Sequence, residues 1–298
     1  MKNSPLSAGT PLKIKTHDVI IRYIRSRPGS NSDEIGTLDA LTIFNETDGL
    51  QDVIIDHGSF SWATDEVVNV YYAAHNITIQ WSIIAEGLDC STHVENGELQ
   101  CHSMGMLLGS DGSRDMSIHH NLFAHNRHRN PRIKTMGTID VVNNVVYNSG
   151  SGNGWRSPTY VHGGRGIVPA NYVGNYFKPG FDTGAAEWFI DTKEIVEVYV
   201  EGNIVPNEVI DPDSVDMLVD TRHDAPPIVT TSAPVAYVQV LEQAGSSRGL
   251  ECDGTPYARR DSADLRIVEE VRNGTGWIID EPEEVGGWPV LYAGVACA

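Results

Sequence analysis

Residues 114–123 read RDMSIHHNLF, and residues 138–147 read TIDVVNNVVY. Both place alternating apolar residues, mostly β-branched, ahead of a polar turn. An alternation of period two marks a strand rather than a helix. The pattern recurs in HDVIIRYI from His17, QDVIIDHGSF from Gln51, HNITIQWSII from His75, PANYVGNYF from Pro169 and EVYVEGNIV from Glu197. Aligned on the turn, one column reads Ser59, Ser82, Asn121, Asn144, Asn175 and Asn203, with spacings of 23, 39, 23, 31 and 28 residues. The units are too short for βαβ crossovers. A minimum spacing with variable excess describes a coil of constant core length with loops inserted on one side, which is a parallel β-helix in an all-β chain. Stacked side-chain amides in the column would then bond along the axis and satisfy backbone groups at the turn. A leucine-rich repeat lacks its leucine spacing here, and a β-sandwich is the weaker rival.

Two long spacings mark loops, which on a rigid solenoid build the binding face. One contains Cys90 and Cys101; the other runs through SGSGNGWRSPTYVHGGRG, residues 149–166. The two cysteines bracket a short polar loop, and a disulfide and two separate buried thiols remain equal alternatives. The repeat stops after about Pro206. VAYVQVLEQAG (235–245) and ADLRIVEEVRNGTG (263–276) read as short helices ending at glycine. The whole chain, 1–298, reads as one domain: β-helix coils over about 18–205 and a tail over about 206–298 that packs along the outside.

The chain has 40 acidic and 21 basic residues, a formal charge of -19. That balance argues against nucleic-acid binding. No run of about 18 apolar residues suggests a membrane span, and MKNSPLSAGTPLKIKT at the start has no apolar leader core. Against this acidic background, Met116 to Ile139 contains no Asp or Glu. It carries Arg127, Arg129, Arg132 and Lys134, with His119, His120, His125 and His128. A cationic island on an acidic protein points to an anionic ligand.

SFSWATDEVV (59–68), HSMGMLLG (102–109), HHNLFAHNRHRNPRI (119–133) and VVNNVVYN (141–148) together resemble the pectate lyases of polysaccharide lyase family 1. So do RRDSADLRIVEEVRNGTG (259–276) and VGGWP (285–289). The resemblance implies a right-handed parallel β-helix that cleaves polygalacturonate (pectate) by calcium-assisted β-elimination, giving 4,5-unsaturated products. It also implies an extracellular, secreted protein. It maps calcium ligands onto Asp39, Asp65 and Asn69, with Glu66 as an extra or substitute ligand. It makes Arg129 the base, although arginine ordinarily stays protonated. Arg132 would fix a substrate carboxylate, and Lys134 stands where the family usually has a second arginine. Met104 stands where the family commonly has a substrate-binding lysine, a loss for which His102 would partly compensate. His57 reads as a structural histidine; Trp62 suits a sugar platform or the core equally. Relatives carry further N-terminal coils, so the shortened start calls for cover by the N-terminal segment or by self-association.

Two rival functions remain. A β-helical polygalacturonase needs a carboxylate pair across the scissile bond; RIK at 132–134 recurs in that family, but its other motifs are missing. A non-catalytic carbohydrate-binding solenoid fits Met104 and Asn69 but not the intact Arg129 and Arg132.

Overall fold

The computed structural model describes residues 11–30, 38–44, 50–109, 112–150, 157–163, 166–184, 188–193, 195–250 and 254–289. Residues 151–156 and 164–165 of the Gly-rich stretch and the first ten residues therefore lie outside the described residues.

Three parallel sheets run along one axis, each with its strands in chain order. The first contains Leu12–Ile14, Leu41–Phe44, Glu66–Tyr71, Met104–Leu108, Arg132–Ile133, Thr159–His162, Trp188–Lys193 and Glu208–Ile210. The second runs from Val19–Arg22 through Gln51–Asp56, His75–Gln80, Arg114–His119, Ile139–Val142 and Val168–Val173 to Val196–Glu201. The third runs from Arg25–Ser26 through Ser59–Ser61, Ile83–Ala85, Leu122–Ala124 and Val145–Tyr147 to Tyr176–Lys178. Each coil adds one strand to each sheet. The expected right-handed parallel β-helix is borne out, and Glu208–Ile210 carries its first sheet a little past Pro206.

The alternation seen in the sequence is the inside–outside alternation of these strands. Val53, Ile77, Met116, Ile139, Ala170 and Val198 are register partners from coil to coil. All are 2% exposed or less. They form one column of the interior, each contributing about 1.5–3 kcal/mol if its side chain is large and wholly buried.

Between the second and third sheets the chain turns through one left-handed residue per coil: Tyr23, His57, Trp81, His120, Asn143, Gly174 and Gly202, with φ between 50° and 64°. Side chains with a Cβ resist this conformation. Here the cost is offset by ring contacts: Tyr23 lies tilted against His57 at 5.0 Å, while His57 stacks on Trp81 at 6.1 Å and Trp81 on His120 at 4.3 Å between ring centroids. The next residue carries the amide column. Asn121 Nδ2 donates to Asn144 Oδ1, Asn144 Nδ2 to Asn175 Oδ1, and Asn175 Nδ2 to Asn203 Oδ1, at 3.1, 3.1 and 2.9 Å. Each Oδ1 also accepts the backbone N–H of the coil before, beginning with Ser82 N–H on Asn121. One position is corrected. Ser59 is in register with Ile83, so Gly58 holds the place beneath Ser82 and donates its N–H to Ser82 Oγ at 3.0 Å. Ser59 instead faces the tail, bonding Asp264 at 2.6 Å.

The tail forms two helices, α1 (Ala233–Gln243) and α2 (Ser262–Asn273). Asp261 caps α2 at its start, and Gly274, at φ 71°, ends it. Both helices pack Val240, Leu241, Ile267, Val268 and Val271 onto the outward residues Ile83, Ala85, Leu122, Ala124, Val145 and Tyr147 of the third sheet. That sheet is therefore buried on both faces, which leaves the solvent face of the first sheet open for a site. Trp62 is fully buried and donates its indole N–H to Glu86 at 2.9 Å, so it belongs to the core. His57 bonds Asp56 at 2.6 Å within the stack, as the structural reading expected. No helix of the described residues is long and apolar enough to cross a membrane.

Candidate active site: carboxylates beside a buried arginine

Asp39 sits in the turn entering the Leu41–Phe44 strand, and Asp65 and Glu66 stand at the start of the next strand of the first sheet. Pairing of Leu41 with Val68 and Thr42 with Asn69 stacks these turns. Carboxylate oxygens of Asp39, Asp65 and Glu66 come within 4.8 Å of one another. Asp39 accepts from Thr42 Oγ1 at 2.8 Å, Asn69 Nδ2 at 3.1 Å and the Glu66 N–H at 3.2 Å. Burial first, and the Asp65 charge second, push its carboxyl up to about 7. Asn69 Oδ1 is buried with no hydrogen-bond partner. Crowded carboxylates beside an orphaned amide oxygen form a hard-oxygen donor set, and calcium fits that chemistry. A groove of about 190 Å³ lies against it, lined by Lys13, Asp39, Thr42, Phe44, Asn69, Tyr71 and Tyr72.

Arg129 lies in the turn between the Leu122–Ala124 and Arg132–Ile133 strands, at φ 59°. Asn130 pins that turn, donating from Nδ2 to Ser149 Oγ at 2.7 Å and from its N–H to Pro158 O at 2.9 Å. The neighbouring coil must pass close beneath. A Cβ on Gly105 would meet Asn130 Oδ1 at 2.4 Å and Arg129 O at 2.7 Å, so the glycine of HSMG is a steric requirement. Arg129 reaches over to pair its Nη1 with Glu66 Oε1. Burial, then the Arg132 charge, push the guanidinium down to about 10, while Asp65 and Asp39 pull the other way.

On the solvent face, Thr42, Asn69, Leu107, Arg132, Tyr160 and Asp191 are register partners across six strands. Arg132 sits two strands from Asn69, about 10 Å at the usual strand spacing. Its guanidinium lies 5.4 Å from the Tyr160 ring centroid, and Nη2 is 3.4 Å from His162 Nδ1. Lys134 is exposed beyond it. The face is thus anionic at one end and cationic in the middle.

The cationic island is smaller than its sequence suggested. Burial lowers His119 and His120 to about 4 and His128 to about 3, so at neutral pH these three carry no charge. Arg127 is paired with Asp89. The structure joins Arg129 to the carboxylates and leaves Arg132 and Lys134 facing outward. His102 goes to the acidic side: it is 9% exposed, its Nε2 is 3.1 Å from Asp65 Oδ1, and its ring stacks on His93 at 3.8 Å. His93 escaped the sequence reading. The signal was its place between Cys90 and Cys101, which form a disulfide. Met104 is 2% exposed and register-paired with Glu66, so it is a buried position rather than a gap in the open face.

A stacked-coil groove with carboxylates at one end and arginines beyond them defines the class, a parallel β-helix with a charged open face. Comparison gives the relatives. No family model matches the chain. It is 32% identical over 290 residues to a probable pectate lyase C of Aspergillus oryzae, covering 91% of this chain and 59% of the relative. It is 34% identical over 291 residues to one of Aspergillus terreus, covering 91% and 59%. The chain thus spans about three fifths of the length of these relatives. Its fold matches a pectate lyase of Bacillus sp. N165 solved with trigalacturonate, with a TM-score of 0.54 and 18% identity, covering 77% of this chain and 68% of that one. It also matches the thermostable pectate lyase PL 47, with a TM-score of 0.55 and 19% identity, covering 79% and 64%. The chain is thus similar in sequence to proteins named probable pectate lyase C, and its fold is that of solved pectate lyases.

Proposed function

We propose that this chain is a polysaccharide lyase that cleaves polygalacturonate by β-elimination with calcium, in the secreted setting where pectin is degraded. The observation that carries the reading is the carboxylate cluster of Asp39, Asp65 and Glu66 in contact with a buried arginine whose pKa is lowered. Hydrolysis would need a carboxylic acid and a carboxylate facing each other across an open bond; here Glu66 is tied to Arg129 instead.

The ligand set is Asp39, Asp65 and Asn69, with Glu66 beside them; calcium there would draw electron density from a uronate carboxylate and acidify the C5 proton. Arg129 takes that proton once Glu66 no longer holds its guanidinium charged. The C5–H electrons form the C4–C5 double bond, the C4–O bond breaks, and the departing glycosidic oxygen is protonated by water. Arg132 holds a neighbouring uronate carboxylate through its planar fork, and Lys134 adds a point charge beyond it. His102 braces Asp65. The cations and Asn69 would share one polymer along the row of the first sheet. Tyr160 keeps Arg132 in place through its ring.

The test is incubation with polygalacturonate, with calcium or with a chelator, followed by ultraviolet absorbance of the unsaturated product. A calcium-dependent rise that Arg129→Ala removes is expected. Reducing ends without absorbance would make the chain a hydrolase, and binding without either product a solenoid lectin.

A further inference from the structure

We propose that Asn76 is an N-glycosylation site and that the first sugars of its glycan lie in the groove beside it, on the outer face of the second sheet. Asn76-Ile77-Thr78 is an Asn-X-Thr acceptor. Of the two others in the sequence, Asn45-Glu46-Thr47 lies outside the described residues and Asn273-Gly274-Thr275 ends α2. His75–Gln80 is a strand, so Asn76 and Thr78 point outward together while Ile77, wholly buried, points in. Asn76 is exposed in the turn that begins this strand, at φ 55°, a conformation asparagine tolerates. Its Nδ2 donates to Asp52 Oδ1 at 3.1 Å. An amide nitrogen carries two hydrogens; glycosylation consumes one, so the modified side chain keeps a donor for Asp52.

The sheet around Asn76 shows where the sugars fit. Ile20, Ile54, Thr78, Ser117, Asp140 and Asn171 are register partners on its outer face. At one end of this row the tail forms the cover. Arg222 Nη2 donates to Asp140 at 2.8 Å and His223 N–H to Asn171 at 3.0 Å, and both Asp140 and Asn171 are wholly buried. At the other end Ile20 is 67% exposed. There a groove of about 420 Å³ has Ile20 and Ile54 in its floor and Asp18, Asp52, Asn76 and Thr78 around it. The acceptor thus lines the part of the face that the tail leaves bare. A pyranose suits such a surface: its C–H face covers the isoleucines, and its hydroxyls donate to the two carboxylates.

The donor is an oligosaccharide carried on a lipid diphosphate. Asn76 Nδ2 forms a bond to the anomeric carbon, the bond from that carbon to the diphosphate oxygen breaks, and the diphosphate leaves with the electron pair. The proton lost from Nδ2 goes to a base of the transferase, so nothing is oxidised or reduced. The Cys90–Cys101 disulfide agrees with this route, since such bonds persist in the oxidising compartments of secretion. The inference rests on the secreted setting proposed above and is independent of the lyase chemistry.

The experiment expresses the whole chain behind a secretory leader in yeast, with Thr78→Ala alongside, which removes the acceptor and keeps Asn76 and its turn. Peptides from medium and cells are read by mass spectrometry before and after an amidase that releases N-glycans and leaves aspartate. Hydroxyl-radical footprinting then reads Ile20 and Ile54 in the folded proteins. The expected result is a glycan on Asn76 of the parent, none there in Thr78→Ala, and oxidation of both isoleucines about twofold or more faster in the variant. If Thr78→Ala does not fold, the parent treated with the amidase under native conditions takes its place in the footprint. An unmodified Asn76 in the parent, with or without a glycan on Asn273, overturns the proposal; where Cys90–Cys101 has formed, the secreted reading still stands. A glycan on Asn76 with equal oxidation of the isoleucines overturns its placement in the groove.

Discussion

The pH dependence of the proposed lyase reaction tests the role of Arg129 most directly. An ordinary arginine titrates at 12.5, whereas Arg129 is lowered to about 10 by burial and by Arg132. At pH 9 a group at about 10 is roughly 9% neutral, against roughly 0.03% at 12.5, a gain of about 300-fold or about 3.4 kcal/mol. If the neutral guanidine takes the C5 proton, kcat at saturating substrate and calcium should rise close to tenfold per pH unit up to about pH 9 and level off near 10. Stopped samples read by product absorbance supply the profile. Arg132→Gln removes one cause of the lowering, so its plateau should move to higher pH, besides any rise in KM. Arg129→Ala should lose about 10²–10⁴ in kcat. A kcat that is flat between about pH 8 and 10 would refute the reasoning, as would an unmoved plateau in Arg132→Gln.

Three further outcomes are expected. Asp39 has a folded carboxyl near 7 against 3.8 when unfolded; its stabilising protonation is complete below the unfolded value and lost as pH rises through about 7. Calcium should therefore raise Tm more at about pH 8 than at about pH 5, and equal shifts would remove Asp39 from the ligand set. Met104→Lys buries an ammonium beside Glu66; it should lower Tm without raising kcat, and a faster enzyme would mean the methionine is a catalytic lesion. Asn144→Ala strips partners from the Asn121 N–H and Ile118 C=O, at about 1–3 kcal/mol each. Urea unfolding should show a loss of about 2–6 kcal/mol, and a loss below about 1 kcal/mol would mean that water replaces the ladder.

Much of the architecture was written locally. The inward column from Val53 to Val198 is visible as alternation, because each strand meets its neighbours in register and repeats the same inside–outside choice. The asparagine column was legible because the same backbone groups need the same amide at every turn. It slipped by one residue at Ser59 because glycine leaves no side-chain signal: Gly58 occupies the column, while Ser59 reaches for Asp264, 205 residues away. The Arg129–Arg132 element, the carboxylates and the tail helices were also readable, each as a short motif.

Charge was not. By sequence, Met116 to Ile139 is free of acid; in space, Glu66 lies on Arg129 and Asp89 on Arg127, from coils 63 and 38 residues earlier. His119, His120 and His128, which seemed to enlarge the island, are neutralised by burial, a property no local pattern records. Nor could spacing place His93 against His102 and Asp65, because the disulfide-closed loop folds back on itself before it meets the next coil. The sequence by itself determined the coil, its turns and the residue types available for chemistry, since those depend on neighbours in the chain. Which charges meet, which are buried and which face a ligand depends on coils stacking about 4.8 Å apart, and that only the tertiary structure decided.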